Sequence, residues 1–402
     1  MNHLYIHIPF CHRRCSYCDF NTYANLEHRI EAYVAALCAE LHMLAEGAFP
    51  GGPLPTRAEQ RPSPEADALP PTIFLGGGTP TMLSLDQLER VLTAASAIVP
   101  LERAEITSEA NPGTVLGRDY LRGLRALGVN RLSMGVQSLH DSTLRVLGRI
   151  HSADEARRSY EEAREAGFDN INLDFIFGLP GQTQAQWEAT LDTIIAWGVD
   201  HFSLYSLILE EGTPLYAQVT AGRIRLPEDD ATAAMYEAAM ERLGAAGYTH
   251  YEISNWARES VGPPGALFPE RACAHNLAYW LNSDYLAAGA GAHGHRYPRR
   301  YHNILGVDDY IAAVGGGRLP CAEWITLTPG DLRAETMLMG LRLSAGVGEA
   351  HFAARCGLPL DAAYSDTLAE LAAQGLIVRH QERVRLTPRG RMLGNQVFQR
   401  FV

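Results

Sequence analysis

The feature that most constrains the fold is the alternation of short apolar runs with helical patterns over the first 255 residues. The runs that we predict to be strands are Leu4–Phe10, Thr72–Leu75, Ala104–Ser108, Arg131–Val136, Asn170–Phe177, His201–Leu207 and His250–Ser254. Helical patterns lie at 30–45, 85–99, 119–127, 153–166, 184–197 and 229–246. Strands that are apolar along most of their length are buried on both faces, as in parallel sheets and barrels. With six clear strand–helix units, the sequence predicts an α/β fold built on a partial (β/α)6 barrel.

The remaining sequence predicts further units around this barrel. We expect the barrel to occupy residues 1–255, with a surface insertion at about 47–71 that is rich in Pro, Gly and Glu. Residues 256–330 are expected to form an extension and a linker that contains Gly315–Gly317. Residues 331–402 show helices, a hairpin and a last helix, the order of a winged-helix-like module. Nine Arg against seven Asp and Glu in this module favour docking or lid duty over DNA binding.

Composition excludes several classes of function. The chain contains no lysine, because all 34 basic residues are arginine, so Schiff-base chemistry and a P-loop are excluded. The net charge of −12 argues against nucleic acid as a partner. No apolar run approaches the roughly 20 residues of a membrane span, and the N-terminus shows no signal peptide. We therefore expect a cytoplasmic protein with at most peripheral membrane contact.

Three cysteines, Cys11, Cys15 and Cys18, lie within eight positions near the N-terminus. A structural zinc site takes four ligands, and the nearest spare ones are His7 and His12, so a zinc loop is one interpretation. A [4Fe–4S] cluster is normally held by four cysteines. With three, one iron stays open, and S-adenosylmethionine can chelate it through its amino and carboxylate groups. Taken alone, the spacing is therefore compatible with an iron–sulfur cluster that has an open iron, with a zinc loop, or with an incidental cluster of cysteines.

Polar residues and glycines follow four of the predicted strands. A "GGGTP" run ends the second strand, Glu109 and Asn111 follow the third, Gln137 the fourth, and Asp174 lies on the fifth. The carboxyl ends of barrel strands meet at one rim, which is where barrels place active sites. These groups are therefore expected to surround one ligand beside the cysteine loop.

Six motifs together extend over nearly the whole chain: "YIHIPFCxxxCxYCDF", "GGGTPT", "EANPG", "GVQS", "LDFIFGLPGQT" and "HNLAYW". In combination they resemble radical-SAM proteins related to oxygen-independent coproporphyrinogen III oxidase, in particular the HemW-type haem-chaperone branch. The resemblance implies a radical-SAM barrel in which Cys11, Cys15 and Cys18 hold a [4Fe–4S] cluster. By motif position it implies that S-adenosylmethionine is surrounded by Tyr5, Tyr17, Gly77, Gly78, Thr79, Glu109, Gln137, Arg149 and Asp174.

Two departures separate this chain from the oxidases it resembles. The oxidases carry a fourth cysteine where this chain has Phe20, and they carry an N-terminal extension before the strand that begins here at Leu4. The resemblance thus favours a haem chaperone that binds haem and passes it to an acceptor protein, with a reductase or flavodoxin-type protein as electron donor. A radical enzyme acting on a porphyrinogen is the alternative, and a radical-SAM methyltransferase is a third. No catalytic residue is assigned.

The "HNxxYW" motif supplies His275, Tyr279 and Trp280. The resemblance implies that His275 contributes to haem binding, and imidazole is a common ligand of haem iron. Taken without the resemblance, the motif is typical of a core histidine packed against two aromatic rings. Both interpretations stay open at this stage.

Overall fold

The computed structural model describes residues 2–52, 61–113, 117–258 and 266–402. The strands are β1 (His3–Ile8), β2 (Phe10–Cys11), β3 (Tyr23–Ala24), β4 (Thr72–Gly77), β5 (Glu105–Ala110), β6 (Arg131–Gln137), β7 (Ile171–Phe177), β8 (His201–Ser206), β9 (Tyr248–Glu252), β10 (Asn255–Arg258), β11 (Leu286–Ala288), β12 (His293–Arg296), β13 (Arg299–Asn303), β14 (Cys321–Thr326), β15 (Val347–Gly348), β16 (Ile377–His380) and β17 (Arg383–Leu386). The α-helices are α1 (Ile30–Ala45), α2 (Pro64–Asp67), α3 (Leu85–Ser96), α4 (Arg118–Ala126), α5 (Asp141–Val146), α6 (Ala153–Glu165), α7 (Gln184–Ala196), α8 (Pro214–Thr220), α9 (Asp229–Ala245), α10 (Ala274–Trp280), α11 (Val307–Gly315), α12 (Pro329–Gly340), α13 (Glu349–Cys356), α14 (Leu360–Ala373), α15 (Pro388–Met392) and α16 (Gly394–Phe398). None of the helices in these ranges has the length and apolar character needed to cross a membrane.

The main sheet has nine strands in the order β11-β1-β4-β5-β6-β7-β8-β10-β9. The strands from β11 to β8 run parallel. Antiparallel β10 and β9 complete the far edge. Strands β1, β4, β5, β6, β7 and β8 correspond to the first six of the seven strands predicted from the sequence, and β9 overlaps the seventh. The partial barrel that the six strands form confirms the predicted fold class.

Side-chain caps fix where three of the helices between these strands begin. Helices α3, α6 and α7 each start with a capping box, in which the side chain of Ser84, Ser152 or Thr183 accepts a hydrogen bond from the third residue of the helix. Residues of the central strands such as Leu75 and Leu132 are fully buried. The continuous apolar runs in the sequence therefore correspond to strands that are buried on both faces of the sheet.

The segment expected as an extension and linker, residues 256–330, adds structure to the barrel. It supplies most of β10, then helix α10, and the edge strand β11, which pairs with β1 in parallel. It also forms a three-stranded antiparallel sheet, β12-β13-β14. The glycines at 315–317 end helix α11. Strand β11 has only three residues, too few to show a periodic pattern in the sequence.

The C-terminal module combines helices α12 to α14 with the sheet β15-β17-β16 around its own apolar core. Of the predicted surface insertion, residues 61–71 pack against this module. Within α2, Ala66 is buried, and the Glu65 carboxylate accepts hydrogen bonds from Arg383 Nη1 at 2.6 Å and Nη2 at 3.1 Å. The insertion therefore joins the module to the barrel at this point.

Replacing Arg383 with Met should destabilise the C-terminal module. The guanidinium also donates to the carbonyls of Ala345 at 2.8 Å and Gly346 at 2.7 Å, so its loss leaves Glu65 and two carbonyls unpaired in a mostly buried site. We expect a loss of about 3 kcal/mol in the free energy of unfolding, measured by denaturant titration. Arg400→Met, which breaks an exposed pair with Glu370, is the control and should cost less than about 1 kcal/mol. Equal losses would contradict this assignment.

Candidate functional site

A cavity of about 590 Å³ opens at the carboxyl ends of the barrel strands. Ten of the residues singled out in the sequence line it: Cys11, Cys15, Tyr17, Cys18, Gly77, Gly78, Glu109, Gln137, Arg149 and Asp174. They come from the cysteine loop after β1, from the ends of β4, β5 and β6, from the middle of β7 and from the residues after α5. The fold thus gathers at one rim residues that are up to 163 positions apart, Cys11 and Asp174.

The cysteine loop is fixed at both ends and in the middle. Strands β2 and β3 pair in parallel and close its base. In the middle, Ser16 N donates to Leu147 O at 2.9 Å, Ser16 Oγ donates to Val146 O at 2.8 Å, and Leu215 N donates to Ser16 O at 2.8 Å. The loop is therefore held against the helices that follow β6 and β8.

The three thiols have different immediate neighbours. Cys11 Sγ lies 3.7 Å from Thr79 Oγ1, Cys18 Sγ lies 3.8 Å from Thr22 Oγ1, and Arg149 Nη1 lies 3.4 Å from Cys15 Sγ. Burial raises the pKa of Cys11 to about 11 and also raises that of Cys18. Over the residues that the structure covers, no three His, Cys, Asp or Glu side chains converge as they would around a bound metal ion.

The glycine run after β4 brings the backbone close to its neighbours. Gly77 has φ +108°, and a Cβ there would lie 2.4 Å from the His7 ring. A Cβ on Gly78 would lie 2.5 Å from Phe10 O, so that position also excludes a side chain. The Gly77 amide donates to Glu109 Oε2 at 2.9 Å. Glycine is therefore required here by space and by backbone conformation.

Two partly buried carboxylates, Glu109 and Asp174, face the cavity. Asp174 accepts hydrogen bonds from Asn172 Nδ2 at 2.7 Å and Ser133 Oγ at 3.3 Å, whereas Glu109 is bonded to the Gly77 amide. Burial, and then repulsion from Asp174, raises the pKa of Glu109 to about 8, and burial also raises the pKa of Asp174. Such a pair is suited to a ligand that brings positive charge or N–H donors.

The pH dependence of S-adenosylmethionine binding should report Glu109. Its folded pKa of about 8 lies above the ordinary value of 4.5, so at neutral pH the carboxyl is largely protonated and must lose its proton to accept from the ligand's amine. Affinity should therefore rise as the pH rises towards about 8 and then level off. Glu109→Gln should bind more weakly and lose this dependence, while the ligand's own titration stays the same in both proteins. An identical pH profile in the variant would contradict the role of Glu109.

Gln137 and Arg149 complete the predicted side of the cavity. Gln137 ends β6 with φ 69°, at a bulge between Gly135 and Gln137, and bulges re-aim side chains beside active sites. Arg149 Nη2 donates to Asn111 Oδ1 at 2.6 Å and also to Gly135 O, while its buried Nε has no hydrogen-bond partner. The guanidinium thus links the cysteine loop to β5 and β6 and keeps one buried donor unsatisfied.

Tyr5 and Thr79 lie just behind the lining. The Tyr5 hydroxyl is 2.9 Å from His7 Nδ1, and its ring stacks on Phe74. The Thr79 hydroxyl accepts from Asn111 Nδ2 at 2.6 Å beside Cys11. Both residues therefore contact groups of the site rather than the cavity itself.

His275 is placed away from the cavity, in the core between α10 and β4. Only 1% of the residue is exposed, and its ring stacks on Phe74 with centroids 5.2 Å apart. Nδ1 lies 2.6 Å from Thr72 Oγ1 and Nε2 lies 2.8 Å from the Tyr279 hydroxyl. Burial lowers the pKa of His275 well below its ordinary value. As folded here, neither ring nitrogen is free for iron, and it is the neighbouring Asn276 that lines the cavity.

Further polar residues lie deeper in the barrel and were missed by reasoning from strand ends. Arg131, Ser133, Asn172 and Ser203 all line the cavity. Arg131 is buried, and its Nε has no hydrogen-bond partner. These residues occupy alternate positions with Gly135, Asp174 and Tyr205 on β6, β7 and β8. A period of two in polar residues within otherwise apolar strands is the pattern that predicts a polar barrel interior.

Comparison with known proteins agrees with this geometry. Residues 5–194 match the family described as Radical SAM superfamily, and residues 327–393 match the HemN C-terminal domain. The solved structure of coproporphyrinogen III oxidase (HemN) from Escherichia coli, a radical SAM enzyme, covers 99% of this chain and 89% of its own with a TM-score of 0.77 at 24% identity. Fold and cysteine loop together define a radical-SAM protein.

Relatives that match over nearly the full length of this chain identify a narrower family. A Bacillus subtilis (strain 168) protein named Heme chaperone HemW is 38% identical, over 100% of this chain and 99% of the relative. A Mus musculus protein named Radical S-adenosyl methionine domain-containing protein 1, mitochondrial, is 36% identical, over 93% of this chain and 81% of the relative. The chain belongs to the family of the proteins named Heme chaperone HemW, as the sequence motifs indicated.

Proposed function

We propose that this protein binds haem and transfers it to acceptor proteins, and that it carries a [4Fe–4S] cluster with S-adenosylmethionine at the open iron. The observation that carries the proposal is the full-length similarity to proteins named Heme chaperone HemW. Phe20, at the position where the oxidases resembled by this sequence have a fourth cysteine, adds to it. The carrier function is therefore favoured over porphyrinogen oxidation.

The residues present fit a cluster held by three thiolates. Cys11, Cys15 and Cys18 are free thiols on one loop at the cavity, and thiolates are the usual protein ligands of iron–sulfur clusters. The loop is anchored through Ser16 to the backbone of neighbouring helices. This anchoring supports a fixed position for a cluster that the three thiolates would hold at the rim.

The cavity also fits S-adenosylmethionine. Glu109 and Asp174 provide acceptors for the amine or the ribose hydroxyls, and the unpartnered Arg149 Nε provides a donor for its carboxylate. The chemistry that a bound, reduced cluster supplies is one-electron cleavage of the sulfonium C–S bond. The chain's own part is to orient the ligand between Gly77, Glu109 and Arg149, which line one cavity beside the cysteine loop.

A haem-acceptor protein and a reductase or flavodoxin-type electron donor are the protein partners that we propose. His12, Arg13 and Arg14 of the cysteine loop are exposed, on a chain whose net charge is −12. The guanidinium groups of Arg13 and Arg14 beside the cluster would favour acidic groups on an electron donor through charge complementarity.

Two parallel measurements on cluster-loaded, anaerobic protein test the proposed function. Haem titration should saturate at one haem per chain. Incubation with coproporphyrinogen III, S-adenosylmethionine and a reductant should leave the porphyrinogen unchanged. Conversion to protoporphyrinogen IX would establish the oxidase alternative, and absence of saturable haem binding would refute the carrier function.

The prediction that His275 ligates haem is tested in the same titration. Ligation would require the imidazole to give up its hydrogen bond to Thr72 or to Tyr279. If His275 ligates the iron, His275→Ala shifts or removes the Soret band of the complex. If it keeps the position seen here, the Soret band and affinity are unchanged and only the resistance to unfolding falls.

A further inference from the structure

The mouth of the cavity carries large apolar side chains that face solvent. Phe20 is 64% exposed, Tyr205 43% and Ile208 69%, and all three line the same cavity. They come from the cysteine loop and from the end of β8 and the loop after it. Exposed apolar groups that share one concave surface mark a binding site more often than isolated ones do. We call these three residues the apolar rim.

Two arginines lie on the same mouth with donors to spare. Arg13 and Arg14 both line the cavity. Within the described ranges Arg13 has no hydrogen bond or ion pair, and Arg14 donates to Phe20 O at 3.4 Å. Asp19 and Glu210 also border the mouth, so the mouth carries charges of both signs and is not uniformly basic. Guanidinium groups with free donors beside an apolar surface suit a ligand that is flat, apolar and carries carboxylates.

We propose that the apolar rim is the docking surface for haem, which rests on the proposed function of the protein as a haem carrier. One face of the porphyrin would lie on Phe20, Tyr205 and Ile208, and the two propionates would pair with Arg13 and Arg14. Aromatic and aliphatic side chains stabilise such a macrocycle by burying its apolar face. The position also explains the value of an apolar residue at 20 in a loop that is otherwise polar.

An exposed binding surface is suited to haem that is transferred to an acceptor protein. His275 is 1% exposed and held by two hydrogen bonds, so haem bound there would require the core to open for loading and again for release. Haem on the apolar rim can be reached by an acceptor protein without unfolding any element. The rim is also continuous with the cavity lined by Glu109 and Arg149, so bound haem would cover the proposed S-adenosylmethionine site.

The test compares haem titrations of cluster-loaded protein. The double variant Phe20→Ser, Ile208→Ser should bind haem about tenfold or more weakly, because it removes apolar contact area. The matched control, Ile325→Ser with Val378→Ser, changes two exposed apolar residues on other sheets and should leave affinity within about twofold. Arg13→Gln with Arg14→Gln should weaken binding of haem but not of haem dimethyl ester, whose propionates carry no charge.

The outcomes separate this inference from the function on which it rests. If the native protein shows no saturable haem binding, the proposed function fails first. If it binds haem and the rim variants bind equally well, the docking surface is wrong, whether or not those variants lose transfer to an acceptor. Iron content is measured in each variant, and Ile208→Ser alone, outside the cysteine loop, decides the matter if Phe20→Ser lowers the iron content.

Discussion

Cys15→Ala should abolish the broad iron–sulfur absorption of anaerobically reconstituted protein and reduce bound iron to background. The Cys15 sulfur lies in the cavity beside Arg149, and with three thiols available the loop has no spare cysteine to take its place. A cluster held at only two corners would be lost during purification. The measurement is the visible spectrum together with iron and sulfide analysis.

The matched control is Cys321→Ala. Cys321 is a free, half-buried thiol on β14, outside the cavity lining, whose Sγ donates to Glu323 O at 3.3 Å. This variant should retain the full iron content and spectrum. Full iron in Cys15→Ala, or equal loss in both variants, would remove the cluster assignment from Cys15.

Arg149→Leu should reduce the affinity for S-adenosylmethionine by about a hundredfold. The guanidinium donates to Asn111 Oδ1 and Gly135 O and lies against Cys15, so its loss removes the cationic partner that we propose for the ligand's carboxylate and also removes these contacts of the rim. A charge-assisted bond lost in a buried site costs roughly 1.5–3 kcal/mol, or one to two powers of ten in affinity. Isothermal titration of cluster-loaded protein measures the effect.

Arg145→Leu is the control for charge and position. Arg145 is exposed on helix α5, four residues before Arg149, and should leave the affinity unchanged. Arg149→Lys keeps the charge but not the planar fork and should fall between the native protein and Arg149→Leu. If Arg149→Leu binds S-adenosylmethionine like the native protein, the carboxylate is held elsewhere.

Much of the site can be predicted from the sequence because residues at the ends of parallel barrel strands lie close together in the fold. Glu109 and Gln137 lie at the ends of successive parallel strands, and parallel strand ends meet at one rim. Asp174 instead lies in the middle of β7, from where it lines the same cavity. The cysteine spacing fixes three thiols on one loop without any knowledge of the rest of the chain. These features of the site could be predicted from the positions of the strands and the direction of the chain alone.

Other parts depend on partners that local pattern does not reveal. The hydrogen bond that occupies His275 comes from Thr72, 203 positions away, and no periodicity in the sequence connects them. Strand β11, which pairs at the barrel edge, has only three residues. Glu65, within the predicted surface insertion, pairs with Arg383 of the C-terminal module. Such contacts are selected by tertiary packing, so only the folded chain shows them.

We propose that three thiolates hold an iron–sulfur cube whose remaining iron binds S-adenosylmethionine. The most direct test of this proposal is electron–nuclear double resonance of the reduced, anaerobic protein with S-adenosylmethionine labelled at the amine nitrogen and the carboxylate carbon. We expect a [4Fe–4S] signal that couples to both labels. Protein that carries tetrahedral zinc at Cys11, Cys15 and Cys18, or a cluster with no coupling to either label, would contradict it.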